Sequence, residues 1–114
     1  MPYIKLTTTE RVSDEKCAAI KARFGKAIES FRGKNESWLM VAVDDGKRMW
    51  FRGDDSAPAA MVDVELLGAV GEADSEKMTG RVCEILSEEL GVPSDRIYVK
   101  YTGYSLWGWN GSNF

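Results

Sequence analysis

Two stretches of this sequence follow one plan: a strand-like run, an amphipathic helical run, and a second strand-like run. In the first, "PYIKLTT" places Ile4 and Leu6 on one face. "VSDEK" follows, where Ser13 or Asp14 can cap a helix that has acidic residues in its first turn. Cys17, Ile20, Phe24, Ala27, Ile28 and Phe31 then recur at helical spacing. Gly33 is placed to end the helix, and "SWLMVAV" reads as a near-continuous apolar strand. The second stretch opens with "MVDVELLG", where Val62, Val64 and Leu66 alternate with Asp63 and Glu65. Met78, Val82, Ile85, Leu86 and Leu90 form its helical stripe, Gly91 stops it, and "DRIYVKY" closes it. "GKNESWLMV" and "GVPSDRIYV" match in glycine, polar turn and strand, and the first helix reads about one turn longer than the second. The pattern predicts a tandem β-α-β duplication, an α+β unit with two helices on one face of a sheet.

No linker divides the repeats, so residues 1–114 form one domain, long enough to bury roughly two thirds of its unfolded surface. Between them lie a turn at Asp45-Gly46, the apolar piece Met49-Trp50-Phe51 and a Gly/Asp/Ser/Pro loop. The tail "YTGYSLWGWNGSNF" carries Trp107, Trp109 and Phe114 among glycines and asparagines. These aromatics need a surface to cover, either the chain's own sheet or another subunit, and interface enrichment in Trp and Tyr favours the subunit.

A net charge of −3 gives no attraction to nucleic acid or an anionic membrane. No apolar run approaches the roughly 20 residues of a membrane span, and no secretion leader opens the sequence. Cys17 and Cys83 fall in helical patterns, as expected of small buried hydrophobes in a reducing, cytoplasmic compartment. There is no histidine, which removes Ser-His-Asp and Cys-His catalysis and histidine-bearing zinc sites. The acidic pairs Asp44-Asp45 and Asp54-Asp55 sit in turns, so neither metal nor cofactor is expected. An enzyme of this composition must draw its base from a carboxylate, lysine, tyrosine, cysteine or chain terminus. The proline behind Met1 becomes a candidate, because removal of Met1 would give Pro2 a free secondary amine.

Met1-Pro2 leading into a strand, Gly33-Lys34, "FRGDDSAPAA", "LLGAVG", "DRIYV" and "GWNGSNF" follow in order along the whole chain. On these stretches the chain resembles the macrophage migration inhibitory factor family of the tautomerase superfamily. The resemblance implies a four-stranded mixed sheet, a homotrimer, and cofactor-free keto-enol tautomerisation of aromatic α-keto acids such as phenylpyruvate. It implies that Pro2 is the general base, that Lys34 binds the substrate carboxylate, and that Tyr98 reaches the site from a neighbouring subunit. Leu67 matches a pocket-lining isoleucine. Two positions depart from the family pattern: Lys100 replaces an asparagine, and Trp107 stands where a smaller pocket residue is expected. Lys100 then either adds a second carboxylate ligand or turns outward. The Cys-x-x-Cys of cytokine members is Ala59-Ala60-Met61-Val62 here, so the oxidoreductase activity linked to it is expected to be absent. The alternative implied by the same family is a cytokine-like protein with vestigial tautomerase activity. Such a protein would leave the cell by a non-classical route and bind a host receptor.

Overall fold

The structure is a computed structural model describing residues 1–114. Its order is β1 (Pro2–Thr8), α1 (Asp14–Ala27), β2 (Met40–Asp44), β3 (Ala60–Leu67), α2 (Glu72–Leu90), β4 (Ile97–Tyr104), and a two-stranded tail, β5 (Gly108–Trp109) with β6 (Ser112–Asn113). The four long strands form one mixed sheet in the order β2-β1-β3-β4. Each repeat supplies a parallel pair joined through its helix, β1 with β2 and β3 with β4. The two repeats meet at the antiparallel β1–β3 pairing in the middle. The duplication expected from the sequence is therefore the organising unit of the fold.

The period-2 alternation of β1 and β3 determines which face is covered. Ile4, Leu6, Val62, Val64 and Leu66 turn toward the helices, where Ile20, Phe24, Ile28, Met78, Val82 and Leu86 meet them, all essentially inaccessible to water. Each such side chain contributes roughly 1.5–3 kcal/mol through burial. The opposite face, with Met40, Met61, Asp63, Glu65, Tyr98 and Lys100, has no layer over it, and Tyr98 and Met40 are 59% and 67% exposed. No helix is long and apolar enough to cross a membrane.

The helices differ from the sequence expectation in length. α1 has 14 residues and α2 has 19, so the first is the shorter even with the three-residue 3-10 turn Ile28–Ser30 that continues it. The cause is local. Phe31 turns extended (φ −97°, ψ 127°), which ends the first helical run while Ile28 and Phe31 remain in the core. Gly33, expected to terminate α1, lies beyond that turn in the left-handed conformation (φ +78°) and redirects the chain at Lys34. Ser37 and Trp38 also fall outside β2, in a 3-10 turn capped by Asn35, whose side chain accepts from the Ser37 N–H at 2.8 Å.

The segment before β3 is pinned by one side chain. Phe51 and Asp54 exchange backbone hydrogen bonds of 2.9 and 3.0 Å across Arg52 (φ +55°) and Gly53 (φ +77°), the two positive angles a tight hairpin turn requires. Arg96 then donates to the carbonyls of Asp54, Ala57 and Pro58 at 2.9, 3.0 and 2.9 Å, and its guanidinium lies 5.5 Å from the Phe51 ring centre. Cys17 and Cys83 are half-buried and unpaired, and burial raises both thiol pKa values.

Candidate active site

Proline is suited to the first residue of a strand because it has no N–H to give the ladder. Pro2 occupies that position in β1, buried and opposite Leu66. The next residue of β3 then anchors the terminus with its N–H and holds Lys34 with its carbonyl. The Leu67 N–H donates to the Met1 carbonyl at 3.0 Å, and the Leu67 carbonyl accepts from Lys34 Nζ at 2.9 Å. The left-handed turn at Gly33 delivers Lys34 to this point.

Lys34 consequently lies beside the terminal amine. Partial burial, with a hydrogen bond and positive charge from Lys34, pushes the Met1 amine down from 8.0 to about 6. The Met1 amine is therefore mostly uncharged at neutral pH. A cleft of ≈ 620 Å³ opens around it, lined among others by Pro2, Trp38, Met40, Glu65, Trp107 and Trp109. This volume lies within the range of small-molecule sites, and the lining is mainly apolar with few polar groups, as such sites usually are.

The aromatic tail builds the outer wall. Trp109 meets Trp38 edge-on at 5.0 Å and stacks with Phe114 at 5.9 Å. Trp107 packs edge-on against Tyr104 at 5.9 Å. The tail therefore covers a surface of its own chain, yet Trp109 and Phe114 stay 54% and 55% exposed.

The structure gathers the expected site residues unequally. Pro2, Lys34, the Leu67 backbone and Trp107 converge on one end of the sheet. Tyr98 and Lys100 do not join them within one chain. Tyr98 pairs in register with Met61 and Pro2 with Leu66, five residues apart on β3, or about 17 Å along the strand. The Tyr98 ring lies edge-on to Phe51 at 5.1 Å, and Lys100 Nζ makes a 3.0 Å ion pair with Asp63. Trp38, Met40, Glu65 and Trp109 line the cleft although none was singled out for a site role from the sequence. Trp109 had left a signal in the unsupported aromatic tail. Trp38 and Met40 read as an ordinary apolar strand, and Glu65 as the outward polar residue of an alternating one.

The family model for macrophage migration inhibitory factor matches residues 1–114. A macrophage migration inhibitory factor homolog of Trichuris trichiura is 33% identical over 91 residues, covering 78% of this chain and 79% of its own. Among solved structures, Leishmania major MIF2 superposes with a TM-score of 0.91 at 35% identity, covering 100% of this chain and 97% of its own. The macrophage migration inhibitory factor homologue from Prochlorococcus marinus gives a TM-score of 0.86 at 29% identity, with 98% of each chain covered.

Proposed function

The chain belongs to the macrophage migration inhibitory factor family, and on that premise we propose that it is a cofactor-independent keto-enol tautomerase of small aromatic α-keto acids of the phenylpyruvate type. The observation that carries this is that the Met1 amine lies in an apolar cleft beside Lys34 with its pKa lowered to about 6, and that Pro2 lines the same cleft. Proton transfer between carbon and oxygen needs a base that is unprotonated near neutral pH, and a depressed amine meets that need.

With Met1 attached, the Pro2 nitrogen belongs to an amide, and resonance with the carbonyl leaves it no basic lone pair. Release of Met1 converts it to a secondary amine in the same surroundings. That amine removes the proton from the carbon next to the keto group. The C–H electron pair becomes the C=C bond as the carbonyl π pair moves to oxygen. The protonated Pro2 then returns its proton to that oxygen, giving the enol; ketonisation is the reverse. Lys34 binds the substrate carboxylate by a charge-assisted hydrogen bond and keeps the base neutral. Trp107, Trp38 and Trp109 form the apolar wall against which the substrate ring packs. In a homotrimer, the exposed Tyr98 of a neighbouring subunit completes the site, and the uncovered sheet face with Met40 and Met61 is suited to that contact. Lys100, engaged by Asp63 in its own chain, is the least placed of the expected ligands.

Phenylpyruvate tautomerisation tests this with Met1-free protein, Pro2→Gly and a form retaining Met1. The Met1-free protein is expected to be active and the other two to lose about 10²-fold or more. Equal rates in all three would overturn the role of Pro2. An inactive Met1-free protein would favour the second reading compatible with the family, a secreted receptor-binding protein with a vestigial site.

A further inference from the structure

Glu65 is the one charged side chain lining the cleft. Alternation along β3 puts it on the uncovered face, next to Leu66, the partner of Pro2, and two residues before Leu67, whose carbonyl holds Lys34. Two residues of strand span about 7 Å. The cleft wall therefore carries a carboxylate about two strand residues from the point where Lys34 meets the Leu67 carbonyl.

A neighbouring acidic residue shows what is unusual about Glu65. Asp63 lies on the same face of β3, and its register partner on β4, Lys100, neutralises it at 3.0 Å. The register partner of Glu65 is Thr102, which cannot do so. No cation comes within ion-pair distance of Glu65. Its side-chain partner is the Tyr104 hydroxyl, which donates to Oε1 at 3.4 Å, a long contact that leaves Oε2 free. Within its own chain, the result is an uncompensated acceptor facing a cavity walled by tryptophans.

We propose that Glu65 determines specificity at the far end of the substrate. It rejects α-keto acids that carry a second carboxylate and accepts those whose far end is neutral or donates a hydrogen bond. The inference rests on the tautomerase reading, in which Lys34 fixes the first carboxylate and so directs the rest of the molecule toward Glu65. A bound ligand displaces water from the tryptophan-lined cavity, which strengthens repulsion between like charges and strengthens a hydroxyl-to-carboxylate hydrogen bond.

The test compares kcat/KM for phenylpyruvate, 4-hydroxyphenylpyruvate and 4-carboxyphenylpyruvate in Met1-free wild type, Glu65→Gln and Glu65→Asp, with thermal unfolding to verify folding. In Glu65→Gln the carboxylated-to-plain ratio should rise about tenfold, through KM, and the hydroxylated-to-plain ratio should fall several-fold. Glu65→Asp should restore discrimination against the carboxylated ring. In wild type, the carboxylated ring should be disfavoured against the plain ring through KM, a readout that does not depend on any variant folding. An unchanged carboxylated-to-plain ratio in folded Glu65→Gln, or a wild type that takes the carboxylated ring as readily as the plain one, would overturn the role of Glu65 while leaving the tautomerase reading standing. A wild type inactive on phenylpyruvate would overturn both.

Discussion

The two helix-to-strand connections, Gly33–Met40 and Gly91–Tyr98, are the same piece of backbone used for opposite purposes. Each begins with a glycine in the left-handed conformation, φ +78° at Gly33 and +68° at Gly91. Each then makes a three-residue 3-10 turn, Glu36–Trp38 and Ser94–Arg96, before entering a strand. The side chains diverge position by position. After the first glycine comes Lys34, reaching the terminal amine; after the second comes Val92, fully buried in the core. At the end of the turn, Trp38 leaves one side of its ring to the cleft, while Arg96 closes its own half by binding three carbonyls. The difference teaches where function resides in a duplicated fold. Backbone geometry is the same in both halves, and a few side chains open one connection to a cleft and seal the other.

The largest expected effect is on the half that carries the site. Pro2→Gly should lower kcat/KM for phenylpyruvate by about 10² to 10⁴, with thermal unfolding nearly unchanged, because general-base catalysis of this kind is worth that much. Exchanging the equivalent residues breaks the comparison directly. Val92→Lys buries an amine with no partner and should destabilise by about 4 kcal/mol at pH 7, the cost of losing its proton in the core. Urea unfolding would measure this, and a loss below about 1 kcal/mol would mean the second connection tolerates charge as the first does. Arg96→Met removes three charge-assisted hydrogen bonds to backbone and should cost about 2 kcal/mol, read in the same way, with little change in kcat.

The reciprocal exchange, Lys34→Val, should leave stability within about 0.5 kcal/mol but raise KM about tenfold if, as proposed, the lysine holds the substrate carboxylate. It should also change the pH response. In the chain with Met1, the amine pKa is lowered on folding from 8.0 to about 6, so the unfolded state binds more protons between those values. Stability is then full above about pH 8 and declines as pH falls toward 6. Lys34→Val removes part of that shift, so the decline should shrink. Unfolding midpoints at pH 5.5, 7 and 8.5 would check the sign, and a decline undiminished in the variant would assign the shift to burial alone.

Much of this was readable before any coordinates. The alternation of Ile4, Leu6, Val62, Val64 and Leu66 and the stripes of α1 and α2 repeat with the periods of the structures they form, so β1 matched its expected bounds and β3 shifted by one residue. Lengths set by tertiary packing were less legible. α1 gave way early because Phe31 had to turn into the core, and β2 began late because Asn35 capped a turn that apolar composition alone could not reveal. Of the candidate site, Pro2 and Trp107 line the cleft as expected, and Lys34 lies beside the terminal amine, whereas Leu67, expected to line the pocket with its side chain, meets this region through its backbone. Glu65 and Trp38 were hidden because a polar residue on an outward strand face and an apolar residue in an apolar run look ordinary in one dimension.

The sequence by itself determined the repeat, the covered face and the scarcity of candidate bases, since these follow from residue type and spacing along the chain. The tertiary structure decided which of those residues meet. Antiparallel pairing of β1 with β3 set Leu67 against Met1, and one left-handed glycine brought Lys34 across to the same point. Contacts of this kind join residues far apart in the chain, and their register is a property of the packed sheet rather than of any local stretch.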